Sequence, residues 1–176
     1  MTVVIAGACA CNLYGNDGAS VWVTVLTPRS LRADVRGRQA AWLLVVGPYA
    51  LISTVVLTAM DGQPTAWIWA LSLLAALLGG GAGIVALAST IWVVPLDEAG
   101  SPTPAWSLKV HAALFAVALT AVLPVAMLVV GWTWPAIVTG VLIGLTLPGW
   151  LGGRAIARLA PRQVDVLGTL SGAGLR

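Results

Sequence analysis

The stretch AWIWALSLLAALLGGGAGIVALASTIWVV, residues 66–94, contains no Asp, Glu, Lys or Arg. A helix crosses the hydrocarbon core of a bilayer, which is about 30 Å thick, with about 20 consecutive apolar residues. We therefore predict a transmembrane helix over residues 66–94. This stretch is longer than one perpendicular crossing requires.

Four glycines lie close together in the middle of this predicted helix: Gly79, Gly80, Gly81 and Gly83. Each glycine weakens a helix by about 1 kcal/mol relative to alanine, so the cluster needs a physical reason. One interpretation is close packing against a neighbouring helix, which small residues permit in membranes. The other interpretation is a hinge or break in the helix. We favour packing.

The rest of the chain has the same apolar character. Of its 176 residues, 59% are hydrophobic and 9% are charged, whereas a soluble domain carries about 25% charged residues. Three further stretches can span a bilayer, and they cover residues 40–60, 110–131 and 134–152. Gly131 and Pro135 suit the turn between the last two, because proline is favoured in the first turn of a helix.

These spans predict an all-α membrane bundle with four transmembrane helices over residues 40–153. Pro48, Pro124 and Pro148 fall inside the spans. Because proline has no backbone N–H and its ring crowds the preceding turn, we expect each of them to kink its helix.

The basic residues fall in three places: the segment before the first span, the loop that contains Lys109, and the tail 154–176. Four crossings put all three on one side of the membrane. The other side receives only residues 61–65 and 131–135, with Asp61 as its single charge. Since basic residues flank spans on the cytoplasmic side, we predict a multi-pass plasma-membrane protein whose four-span unit has both ends in the cytoplasm.

The segment before the first span divides into two parts. Residues 1–26 drift from apolar to mixed composition, which predicts the end of a membrane helix that continues into the cytoplasm. Thr27 is a suitable N-cap and Pro28 a suitable first helical residue. We therefore predict a short amphipathic helix within residues 27–39 that stops near Gly37 and lies parallel to the membrane surface.

This short helix would have two distinct faces. Arg29, Arg32 and Arg36 share one face by their spacing of three and four residues, and Leu31 and Val35 share another. The arginines have two interpretations. They can fix only the orientation of the chain in the membrane, as basic residues beside spans commonly do, or they can dock a partner protein.

The sequence NLYGNDGASVWVTVLTPRSLRADVRGRQAAWLL, residues 12–44, resembles the segment between the second and third membrane helices of ABC-type exporter permeases of the type-2 class, especially actinobacterial ones. The positions that carry the resemblance are Asn12, Gly15, Asp17, Gly18, Trp22, Leu26, Pro28, Arg29, Arg32, Arg36, Gly37 and Arg38. The basic tail also looks like the cytoplasmic end of such permeases.

The resemblance implies that residues 27–39 form a coupling helix, which in that family sits in a cleft of a separate ATPase subunit. The docking residues would be Arg29, Arg32, Asp34, Arg36 and Arg38. The resemblance also implies a second permease half or a homo-oligomer as a partner. A full half of such a permease has six spans, so four spans and part of another would correspond to its C-terminal part.

An enzymatic function is not indicated by the sequence. GGGAG at residues 79–83 lacks the lysine of a phosphate-binding loop, and the predicted spans contain hydroxyl side chains but no Asp, Glu, Lys or Arg. His111 on its own is more often a satisfied interfacial residue than a base. Cys9 and Cys11 are better interpreted as small buried thiols than as a metal site. We expect no cofactor and no metal.

Two further expectations concern ligands and alternatives. Nucleic-acid binding is disfavoured, because the basic residues lie close to an anionic lipid surface that attracts them. The uncharged spans favour an apolar or amphipathic cargo over an ion. A non-transport accessory or assembly protein with four spans remains the alternative to a permease.

Overall fold

The computed structural model describes residues 2–11, 30–91 and 104–173, which are helical apart from short turns. The helices are α1 (Thr2–Cys9), α2 (Ser30–Asp61), α3 (Pro64–Ile91), α4 (Pro104–Leu119), α5 (Val122–Val129) and α6 (Thr133–Ala173). Within the described ranges there is no β-strand. The all-helical fold predicted from the sequence is confirmed.

Four segments are long and apolar enough to cross a membrane: Ser30–Asp61, Pro64–Ile91, Ser107–Val129 and Thr133–Leu159. Helices α4 and α5 together make the third of these spans. The predicted number and order of spans are therefore confirmed. The turns between α2 and α3 and between α5 and α6 contain Gly62 and Gly131, whose φ angles of 68° and 86° suit glycine.

The third span is broken at residues 120–121, one turn before Pro124. The backbone N–H groups of Thr120 and Ala121 donate to carbonyls only three residues earlier, over 3.2 and 3.1 Å. Because Pro124 has no N–H and its ring crowds the preceding turn, the regular ladder is interrupted there. The break agrees with the kink predicted at Pro124, whereas α2 and α6 are continuous helices across Pro48 and Pro148, where the kinks stay predictions.

Helix α3 is the central element, because it contacts each of the other five helices. Half of the residues in its membrane-spanning window are buried, compared with 17% in α2 and 22% in α6. A helix that is surrounded by protein needs an apolar surface on every side. Since the remaining residues would face lipid, which is as apolar as the protein interior, the uncharged stretch that contains α3 has no polar face.

The glycine cluster of α3 packs against three different helices. Added Cβ atoms at these glycines would meet the backbone of Gly144 (for Gly79), the Thr120 side chain (for Gly80), the Trp42 ring (for Gly81) and the α6 backbone and Leu151 (for Gly83). The sequence allowed either close packing or a hinge at these glycines, and these contacts support close packing. The helix is continuous through all four positions.

Helices α3 and α6 run parallel along a seam of small residues. The Ser72 hydroxyl donates to the carbonyl oxygen of Ala136 over 2.7 Å, and the backbone of α3 occupies the Cβ positions of Gly140 and Gly144. Ala136, Gly140 and Gly144 are four residues apart, so they lie on one face of α6. The sequence interpretation did not identify this spacing.

Two predicted helix ends are wrong. α2 does not stop near Gly37 but continues to Asp61, so residues 30–39 are the first turns of the first span and not a separate surface helix. One glycine costs about 1 kcal/mol in a helix, and the apolar stripe of Val35, Trp42 and Val46, all buried, offsets that cost. α6 likewise continues beyond residue 152 into the predicted tail, as far as Ala173.

Helix α1 is short and packs inside the bundle. Val3 belongs to the same core cluster as Trp42 and Val117, and Gly7 lies against the Val117 side chain. This agrees with a partial N-terminal membrane helix. The predicted continuation over residues 12–26 lies outside the described residues, as do eight of the twelve positions that carry the family resemblance.

Candidate partner-docking surface

The order of the helices brings the described basic residues to one end of the bundle. The starts of α2 and α4 and the end of α6 lie at this end, and they carry Arg32, Arg36, Arg38, Lys109, Arg154 and Arg158. We call these six residues the basic end. Asp61 lies at the opposite end, beside the turn between α2 and α3. Among the described residues, the charge separation predicted from the sequence is therefore present.

The first turns of α2 are anchored to the bundle by their apolar face. Val35 is 1% exposed and packs in a cluster with Ala86 of α3 and with Ala155 and Leu159 of α6. Leu31 is half-buried against the same cluster. The predicted apolar face is confirmed, and it packs against protein. The first turns of α2 are thereby held in position against α3 and α6.

Arg32 and Arg36 each follow a residue of the apolar face and lie about 100° around the helix from it, and both are exposed. Asp34 and Arg38 form an ion pair one turn apart, with 3.0 Å between the Arg38 Nε and an Asp34 carboxylate oxygen. Both of these side chains are largely buried. Of the five predicted docking residues, Arg32 and Arg36 are therefore exposed, and Asp34 and Arg38 pair with each other. The fifth, Arg29, lies outside the described residues.

A polar contact that the sequence interpretation missed fastens α2 to α6. The Gln39 side-chain amide donates to the backbone carbonyl of Pro148 over 2.9 Å. The side chain of Gln39 also lies against Gly152, where an added Cβ would be 3.0 Å away. A polar residue at the start of an apolar run was the available signal, because its amide needs a hydrogen-bond partner there.

The last part of α6 contributes a second basic group. The Arg154 guanidinium lies over the Trp150 ring, 4.2 Å from its centre, which is a cation–π geometry. Arg158 is exposed one turn further along. Since Ala155 of the same helix packs against Val35, the cations of α6 are held beside those of α2.

The start of α4 is different in character. Lys109 is 2% exposed and lines an apolar cavity of about 380 Å³ between α3 and α4. His111 is exposed, and its Nδ1 hydrogen-bonds the Ser107 carbonyl over 2.7 Å. This contact agrees with the interpretation of His111 as a satisfied interfacial residue. Arg32 and Arg36 are therefore exposed at the basic end, whereas Lys109 is not.

No group of three or more His, Cys, Asp or Glu side chains in the described part of the chain could hold a metal ion. Fold and surface define a helical multi-pass membrane protein with an anchored, cationic end. A scan with protein-family models finds no match to the chain, and neither the curated proteins nor the solved structures give one. The resemblance to exporter permeases therefore stays an expectation.

Proposed function

We propose that this chain is the membrane-embedded permease subunit of an ATP-driven ABC exporter, and that a separate ATPase subunit docks on the basic end. In this proposal the chain spans the plasma membrane and its basic end lies on the cytoplasmic side, as the positive-inside rule predicts. A second permease half or a second copy of the chain would complete the transporter. The cargo would be apolar or amphipathic, in keeping with the uncharged spans.

The observation that carries the proposal is the position of Arg32 and Arg36 on an anchored helix. Both are exposed, while Val35 on the other face is buried and Gln39 is bonded to α6. Guanidinium groups pair well with carboxylates on a partner surface. Because α2 is one helix from Ser30 to Asp61, a displacement at the arginines would be transmitted along the whole span.

The test separates docking from membrane orientation. In one variant, Arg32 and Arg36 are both replaced by Glu. In a matched variant, Arg32→Ala and Arg36→Ala are combined with Ala33→Arg and Gly37→Arg, which keeps two arginines at the same depth but turns them by about 100° around the helix. Ala33 and Gly37 are exposed, and nothing lies near the Cβ position of Gly37.

The proposal predicts an ABC-type ATPase gene next to the gene for this chain; each variant is co-expressed with that ATPase, and co-purification and ATP hydrolysis are measured. We expect both variants to weaken association by about tenfold or more. The Glu variant places like charges across the interface, and the matched variant turns the guanidinium groups away from the carboxylates with which they would pair. The matched variant should insert normally, as judged by labelling of a cysteine placed at Asp61. Normal association of both variants would contradict docking and favour an accessory protein without a transport role.

A further inference from the structure

A cavity of about 310 Å³ lies between α2 and α3, near the end of the bundle that carries Asp61. α2 contributes Ala50, Ser53, Thr54, Leu57 and Thr58 to its lining, α3 contributes Ala70, Leu73, Leu74 and Leu77, and α1 contributes Val3. Its walls are hydrocarbon except for the hydroxyls of Ser53, Thr54 and Thr58. This combination of an apolar cavity with a few polar groups is typical of small-molecule sites.

Several other hydroxyls of the spans are hydrogen-bonded, unlike these three. Thr90, Thr120 and Thr146 each donate to a backbone carbonyl of their own helix, over 2.6 to 2.8 Å. Ser72 donates to α6. Within the described residues, Ser53, Thr54 and Thr58 make no side-chain hydrogen bond, although Thr58 is only 6% exposed.

A hydroxyl without a hydrogen-bond partner in an apolar environment is energetically unfavourable. A guest with one polar group and a hydrocarbon body would satisfy the hydroxyls and fill the apolar walls at the same time. The volume corresponds to about ten water-sized groups, since water occupies about 30 Å³ in the liquid. No acidic or basic residue is among those that line the cavity, so a neutral guest is favoured over an ion.

We propose that the cavity bounded by Thr54, Thr58 and Ala70 binds a neutral, single-headed amphiphile of about the size of a medium-chain alcohol. Thr58 would hydrogen-bond its head group, and Leu73, Leu74 and Leu77 would contact its chain. This site does not depend on ATPase docking, because it lies toward the end of the bundle opposite the basic residues.

The test is photolabelling of the full chain in phosphatidylcholine nanodiscs with octanol that carries a diazirine on its chain. We expect label in the peptides that contain residues 50–58 and 70–77. Unlabelled octanol should compete, and octane should compete about fivefold less well, as one neutral hydrogen bond of about 1 kcal/mol implies. Thr58→Val should weaken competition by octanol by about the same factor.

The matched control is Thr146→Val, which makes the same change at a hydroxyl that is bonded to its own helix; labelling should be unchanged. Ala70→Leu should fill the cavity and abolish the label. Equal competition by octane and octanol, or no effect of Thr58→Val, would show only a lipid-filled gap and overturn the proposal. Label spread over the lipid-facing helices, or no label in residues 50–77, would overturn it as well.

Discussion

Helices α2 and α3 each contain an 18-residue apolar stretch, and these stretches have nearly the same mean hydropathy, 2.0 and 2.1. However, 17% of the residues in the α2 stretch are buried, compared with 50% in the α3 stretch. On α2 the large apolar residues Leu44, Ile52 and Leu57 are more than 60% exposed, whereas α3 contacts all five of the other described helices. Hydropathy therefore identifies both as spans and does not distinguish a lipid-facing helix from a central one. The glycines make that distinction, because only a central helix brings neighbours to several of its faces.

The difference in burial between α2 and α3 predicts the largest loss of stability for a substitution at Gly79. A Cβ there would coincide with the backbone of Gly144, and backbone cannot move aside as a side chain can. We expect Gly79→Ala to lower the free energy of unfolding in detergent by about 3 kcal/mol, at the upper end of overpacking costs. Gly149→Ala is the control, since nothing lies within 4 Å of its Cβ position. Equal effects of the two variants would contradict a close α3–α6 contact.

Gly81 should show a smaller effect than Gly79, because the clash is with the tip of a side chain. The nearest atom to its Cβ position is the Trp42 Cη2, at 2.5 Å. We expect Gly81→Ala to cost about 1 to 2 kcal/mol, and Trp42→Leu to remove most of that cost in the double variant. A double-mutant cycle in thermal unfolding measures the coupling. Additive effects would place Trp42 away from Gly81.

Gly37 on α2 should respond in the opposite direction to the glycines of α3. It is helical and exposed, and its Cβ position is open. Gly37→Ala should therefore stabilise the protein by up to about 1 kcal/mol through helix propensity. A gain in unfolding free energy supports a continuous α2, whereas a clear loss would mean that the helix ends there and needs the glycine.

The smallest effect is expected at the hydrogen bond between Ser72 and Ala136. Ser72→Ala removes a buried bond between α3 and α6. Such bonds between membrane helices contribute about 0.6 kcal/mol on average, so we expect a loss of that size in detergent unfolding. Thr146→Val, on the exposed side of α6, should change the free energy of unfolding less. A larger loss of unfolding free energy for Thr146→Val than for Ser72→Ala would argue against the packing of α3 on α6 at Ser72.

The sequence predicts the fold better than it predicts the packing. Uncharged runs locate four spans, Gly131 and Pro135 mark a turn, and Pro124 marks a break, because each of these signals is local. The central position of α3 depends on which helices meet, and hydropathy carries no such information. The four-residue spacing of Ala136, Gly140 and Gly144 was visible in the sequence and would have indicated the α6 side of the seam.

The candidate docking surface was predicted only in part. The shared face of Arg32 and Arg36 follows from helical periodicity, and the pairing of Asp34 with Arg38 follows from their spacing of four. The helix end near Gly37 was wrong, because local propensity gave way to the burial of Val35 and Trp42. The bond from Gln39 to Pro148 joins residues far apart in the chain, so the sequence indicates that the Gln39 amide needs a partner but not which residue provides it.

The central position of α3, parallel to α6, is tested most directly by cysteine crosslinking. In a background with Cys9 and Cys11 replaced, Ser72→Cys is combined either with Ala136→Cys or with Val138→Cys, and disulfide formation is measured by mass spectrometry of peptides. Ala136 is buried against Ser72, and Val138 is 55% exposed at nearly the same depth. We expect a disulfide in the variant that carries Ala136→Cys and none in the variant that carries Val138→Cys. A disulfide only in the Val138→Cys variant would contradict the parallel packing of α3 on α6.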